Sequence, residues 1–147
     1  MELEQPTMTT DADGTQSLWV NERLHRTDGP AVIHADGVQV WFLDGRWHRT
    51  DGPAAIHANG TQEWYVNGQR HRTDGPALID AHGTQRWYLN NQLHRTDGPA
   101  VIYADGEQGW YVNGLDLTKE ITSWMQQRDI KWPWDAAAHM EFVLTWS

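Results

Sequence analysis

Histidine, arginine and aspartate fall close together at His25, Arg26 and Asp28, a grouping able to move a proton, pair ions or hold a metal. The set returns at His48, Arg49 and Asp51, at His71, Arg72 and Asp74, and at His94, Arg95 and Asp97, each time inside HRTDGP and each time 23 residues on. That regularity speaks against catalysis. Four equivalent active sites in one chain would be unusual, and no Ser/His/Asp or paired-carboxylate set stands apart from the repeat. Turn chemistry accounts for half of the motif: aspartate bonds to backbone two residues on, glycine supplies positive φ, and proline opens a strand. Arginine and aspartate at this spacing predict a ladder of ion pairs along one edge. A shared metal is excluded by distance. With two strands per repeat, equivalent histidines sit about 10 Å apart, whereas two nitrogens on one zinc are at most about 4 Å apart. The same distance separates His34 from His57, so no metal and no cofactor is expected.

The elements that carry these residues follow from the 23-residue period. Five segments, GTQSLWVN, GVQVWFLD, GTQEWYVN, GTQRWYLN and GEQGWYVN, alternate with period two and end in Asn or Asp. Each reads as a strand, called A. Four more, PAVIHA, PAAIHA, PALIDA and PAVIYA, follow each Gly-Pro and read as a strand B. Asp-Gly, Asn-Gly or His-Gly joins each B to the next A, and Asp44-Gly45, Asn67-Gly68 and Asn113-Gly114 close A, all hairpin signals. The expected fold class is mostly β: an elongated antiparallel meander of about nine strands built from β-hairpin repeats. Constancy between copies assigns Gln62, Trp64 and Val66, with Ala54, Ile56 and Ala58, to the inner face. The outer face then carries one aromatic per repeat, at Trp19, Phe42, Tyr65, Tyr88 and Tyr111. About 30 residues of tail are too few to cover such a sheet, so this row is the expected protein-binding surface. Arg49, Arg72 and Arg95 form a second candidate edge.

The tail departs from the repeat after residue 114. Leu117, Ile121, Trp124 and Met125 have helical spacing, with Thr118 as the predicted N-cap and Glu120 in the first turn. After a linker, MEFVLTWS alternates again through Met140, Phe142, Leu144 and Trp146 and predicts a final strand. The organisation expected is therefore a disordered 1–12, a repeat array over 13–114 and a helix-plus-strand cap over 115–147.

Composition narrows the partners. Twenty acidic against 11 basic residues give a net charge of −9, which disfavours direct binding of nucleic acid or of an anionic membrane and favours a cationic partner. The chain has no cysteine, so no disulfide or thiolate site supports the fold. Its acidic start lacks the pattern of a secretory signal, and no apolar run approaches the ~20 residues of a membrane helix. Cytoplasm is the expected location, that of a host cell if the source is viral.

The unit WYVNGQRHRTDGPALIDAHG, from Trp64 to Gly83, resembles the MORN repeat family. It is most similar to the variant with aromatic-x-Asn-Gly followed by His-Arg-x-Asp-Gly-Pro-Ala, found in phage, large-virus and bacterial antitoxin-like proteins. The resemblance covers roughly 13–114 in four in-register copies and leaves the tail outside. It implies a β-hairpin per unit, an elongated sheet used for protein or lipid contacts, and no catalytic residues. One departure is that HRTDGP inserts residues where the usual unit has a second glycine, which predicts a bulge or wider loop. The expected function is a non-enzymatic protein-binding repeat protein, such as a phage inhibitor that occupies a host enzyme or defence complex and competes there with nucleic acid. The alternative is an assembly protein, or a homodimer, that self-associates through the open N-terminal strand at 14–21.

Overall fold

The computed structural model describes residues 5–147. They form a mostly β chain that closes with two helices. Ten strands lie in a row in one open antiparallel sheet, in chain order apart from the short segments described below. The row begins with β1 (Thr7–Thr10) and β2 (Gln16–Val20) and then takes two strands from each repeat, ending at Val101–Ile102 and Gln108–Gly109. Each B–A connection is a tight turn around a left-handed glycine, as at Gly60 with φ 89°. His57 N–H donates to Thr61 O and Gly60 N–H to His57 O, while Asn59 Oδ1 accepts from Thr61 N–H at 3.0 Å.

Strand A is not continuous in the later repeats. Gln62–Glu63 belongs to the main sheet, whereas Tyr65–Val66 turns away and pairs with Gln69–Arg70 in a separate hairpin. Phe42–Leu43 with Arg46–Trp47, Tyr88–Leu89 with Gln92–Leu93 and Tyr111–Val112 with Leu115–Asp116 repeat the arrangement. The crease falls on Trp41, Trp64, Trp87 and Trp110. Each of the first three is held from both sides: Trp64 N–H donates to Ala77 O just before the next main-sheet strand, and Trp64 O accepts from His71 N–H just after its own hairpin. The side hairpins are tied to one another in turn, through Arg49 N–H to Tyr65 O and Gly68 N–H to Trp47 O. Asn67 and Gly68 both adopt left-handed conformations, φ 51° and 79°, as a two-residue hairpin turn requires.

Register overturns the expected faces. Val32, Val40, Ala55, Glu63, Leu78, Arg86, Val101 and Gly109 stand opposite one another across successive strands. Among them Val32, Val40, Ala55, Glu63 and Val101 are buried. The constant row of Ile33, Gln39, Ile56, Gln62, Ile79 and Gln85 is only half-buried, and Ala35, Ala58 and Ala81 are exposed. Of the positions expected inside, the first alanine of each strand B is buried, Ala31, Ala54, Ala77 and Ala100 at 2% exposure or less; otherwise the packed side is the variable one, with the aromatics folded over it: a Cβ on Gly109 would lie 3.0 Å from the Tyr111 ring.

At the N-terminus, β1 pairs with β2, Thr9 opposite Ser17. Residues 5–12, expected to be disordered, therefore include a strand, and the expected open edge at 14–21 is covered; residues 1–4 lie outside the described ones. At the C-terminus, Leu115–Asp116 completes the last hairpin, so the array extends past 114. The first helix, α1 (Thr118–Arg128), has Leu117 rather than Thr118 at its N-cap; Thr118 Oγ1 instead accepts from Trp110 N–H at 3.0 Å. The segment expected as a final strand is a second helix, α2 (Ala136–Trp146). Asp135 caps it by accepting from Ala138 N–H at 2.8 Å, which satisfies one of the free amides of the first turn. Ile121, Trp124 and Phe142 from the helices bury against Trp110 and Val112 of the last repeat. Arg128 of α1 pairs with Glu141 of α2. Among the described residues no helix is long and apolar enough to cross a membrane.

Candidate functional site

Each HRTDGP loop is built around its arginine. Arg72 Nε donates to Asp74 Oδ1 at 2.8 Å and Nη1 to Pro76 O at 3.1 Å, while the guanidinium lies over the Trp64 ring, 4.2 Å from its centre. Arg49 over Trp41 and Arg95 over Trp87, both at 4.1 Å, repeat the stack. The expected ladder of ion pairs is present, Arg26–Asp28, Arg49–Asp51, Arg72–Asp74 and Arg95–Asp97 at 2.6–2.8 Å. The arginine beside each of Asp28, Asp51 and Asp74 holds that carboxyl below its usual range.

Two details of the expected turn are corrected. Asp74 accepts from its arginine, not from backbone two residues on. Gly75 is absent from the positions with positive φ; it is glycine because an added Cβ would meet Arg72 Cζ at 2.9 Å. Gly52 and Gly98 meet their own arginines at the same distance and Gly29 at 3.0 Å. The histidine has a separate task. His71 Nδ1 accepts from Asn90 N–H at 3.2 Å, and His25, His48 and His94 accept likewise from Asp44, Asn67 and Asn113. Every donor is 19 residues on, in the hairpin turn of the next repeat, so histidine locks neighbours together. Oδ1 of Asp44, Asn67 and Asn90 lies 2.9, 3.2 and 3.0 Å from the same nitrogen of His25, His48 and His71, so these rings meet both the backbone and the side chain of the next turn.

Successive loops enclose a row of open slots. One lies between the loops at Arg26 and Arg49 over Trp41 and Leu43, the next between those at Arg49 and Arg72 over Trp64 and Val66. The third lies between those at Arg72 and Arg95 over Trp87 and Leu89, and is bordered by His139 of α2. Their volumes, about 570, 590 and 650 Å³, are closely similar. The Trp/Val side assigned to the interior is therefore the floor of these slots. Arg49, Arg72 and Arg95, the second candidate edge, form their walls.

The aromatic row is placed differently from expectation. Trp19, Phe42, Tyr65, Tyr88 and Tyr111 are all half-buried. Trp47 bridges Phe42 and Tyr65 edge-on, at 6.1 and 4.8 Å between ring centres, and Arg70 lies over Tyr65 and Tyr88. The row works as a second packing layer between the hairpins. Beneath Tyr65 is a cluster that belongs to one repeat alone. Glu63, 7% exposed, accepts from Tyr65 Oη at 3.0 Å and from Arg70 Nε and Nη2 at 2.9 and 2.7 Å, and meets His57 Nε2 at 2.9 Å. Burial pushes the Glu63 carboxyl up, but these bonds outweigh it and leave it below the usual range. Burial, then the Glu63 charge, pushes the Tyr65 hydroxyl up to about 12.

The tryptophan platforms and the Glu63 cluster escaped the sequence reading. A signal for the platforms exists in the constant spacing of Trp41 to Arg49, Trp64 to Arg72 and Trp87 to Arg95. Among the described residues no group of three or more His, Cys, Asp or Glu is placed to hold a metal ion. In comparisons with known proteins, no family model matches the chain and no curated protein matches it.

Proposed function

We propose that the chain is a non-catalytic, MORN-like repeat protein that binds another protein along the row of slots. The observation that carries this is the recurrence of one slot per repeat interval, each walled by arginines already fixed by hydrogen bonds and, for Arg49, Arg72 and Arg95, by stacking on tryptophan. Side chains so held lose little freedom on binding. A net charge of −9 suits a basic partner surface, including one on a host enzyme or defence complex that otherwise receives nucleic acid. The test is retention of a basic protein by the immobilised full chain. Asp51→Asn with Asp74→Asn is expected to release that protein, and Tyr65→Phe with Tyr88→Phe to leave it bound. The reverse result moves the binding surface to the aromatic row.

A second reading has one specific observation in its favour. All residues of β1 are exposed and its outer edge has no strand partner among the described residues, which offers a site for strand addition by another copy. Light scattering over a concentration series separates the two: an assembly protein gains mass with concentration, and Thr9→Pro abolishes the gain.

A further inference from the structure

We infer that the slots read an extended basic peptide, one lysine or arginine side chain in each slot with two residues between. This deepens the reading of the array as a binding protein and rests on it.

The chemistry of one slot fits a side chain with an apolar stem and a cationic head. Its floor is Trp64 with Val66, and its rim carries Asp51 and Asp74, whose side chains are 82% and 81% exposed. In each, Oδ1 is taken by the arginine and the other oxygen remains free to accept. Thr50 and Thr73 add exposed hydroxyls beside the carboxylates, able to bond a passing backbone. Lysine and arginine bury their methylenes along apolar surface and leave the charge at the edge. The slots, about 570 to 650 Å³ each, have room for a long side chain together with the backbone that carries it.

Spacing selects the backbone. Two main-sheet strands per repeat, at ~4.8 Å each, set equivalent slots about 10 Å apart. Polyproline II rises ~3.1 Å per residue with three residues per turn, so every third side chain points the same way at about 9.3 Å. A three-slot row therefore matches basic residues at i, i+3 and i+6. Nucleic acid fits poorly, because each arginine is committed to an aspartate and a proline carbonyl, and Arg49, Arg72 and Arg95 also to a tryptophan face, so phosphates would meet the exposed carboxylates first. A helix with basic residues every seventh position has a similar repeat of about 10.5 Å, and it is the alternative the experiment must separate.

The experiment uses the full chain and labelled proline-rich peptides of equal length and charge, with lysine at every second, third or fourth position. A helical peptide with lysine at every seventh position and a neutral oligosaccharide of similar length complete the set. Fluorescence anisotropy is expected to show the three-residue spacing binding at least tenfold more tightly than any other. Asp51→Asn with Asp74→Asn keeps the oxygen that accepts from arginine, so it is expected to leave the melting temperature unchanged and weaken that peptide three- to tenfold. Thr50→Val with Thr73→Val provides a second, charge-neutral variant expected to weaken it less. Equal affinity for all spacings, preference for the helical peptide or the oligosaccharide, or indifference to both variants overturns the inference. If a lysate protein is still released by the aspartate changes in that case, the binding-protein reading stands without this ligand; if neither peptide nor protein binds, both fall.

Discussion

Gly75 and Gly60 both exclude a side chain, for opposite reasons. At Gly60 the backbone is left-handed and space is open; at Gly75 the backbone is not left-handed and the Arg72 guanidinium fills the space. Gly75→Ala must displace that guanidinium from Trp64 and from its two acceptors, a loss of about 1–3 kcal/mol. A denaturation cycle with Arg72→Ala checks this: the cost of Gly75→Ala should largely vanish once the arginine is gone, while Gly60→Ala should cost about 1–2 kcal/mol in either background. The motif was half legible for this reason. Asp-Gly-Pro has the composition of a turn, but the glycine answers to a tryptophan eight positions upstream of the arginine, and turn chemistry does not include that partner. Glu63 supplies a pH test. Its folded carboxyl titrates below the ordinary value of 4.5, so its contribution is complete above that value and lost as pH falls through the folded one. Melting temperature should thus drop more steeply below about pH 4.5 in the native chain than in Glu63→Gln, which should be less stable at neutral pH by about 1–3 kcal/mol.

At the scale of elements, period and turns were readable and the crease was not. Alternation runs unbroken from Gln62 through Val66, and a period of two says nothing about a bend between Glu63 and Tyr65. Constancy misled the assignment of faces because a residue repeats for any shared duty. Trp41, Trp64 and Trp87 repeat as platforms under arginine; Ala31, Ala54, Ala77 and Ala100 repeat because they are buried, yet the equally buried row through Val40, Glu63 and Gly109 varies as each neighbour fills the space differently. In the tail, Met140, Phe142, Leu144 and Trp146 alternate, yet Ala138, Phe142 and Trp146 also recur every fourth position. Asp135 before three alanines was the sign that decided for helix. The cap has a clear energetic test. Phe142 packs against Trp110, Trp124, Trp134 and Trp146, so Phe142→Ala should cost about 3–5 kcal/mol. Truncation after residue 134 should leave Trp110 and Ile121 uncovered, giving dye binding and aggregation.

For the whole molecule, hydrogen bonds between repeats connect nearest neighbours, and the histidine lock always reaches 19 residues on. Removing residues 48–70 joins Trp47 to His71 and takes out His57, Glu63, Tyr65 and Arg70 together, so no buried charge is orphaned. That deletion, the native chain and a duplication of 48–70 should form a series. Stability and the denaturant slope are expected to rise with each added unit, with unfolding cooperative in all three, as for a linear array of coupled repeats. A shorter chain that no longer unfolds cooperatively would mean an indivisible core.

Trp134 stacks on Trp110, 5.0 Å between ring centres and nearly parallel at 18°, and so gives the last tryptophan of the series the cover that arginine gives Trp41, Trp64 and Trp87. Trp132 completes the imitation by donating from Nε1 to Asp97 O and covering Arg95. The same sockets exist one unit earlier, at Trp87, Asp74 and Arg72. The tail is thus punctuation that can follow any clause: joined directly after Asn91, residues 115–147 should end the molecule there, and the number of units is set by where that full stop is placed.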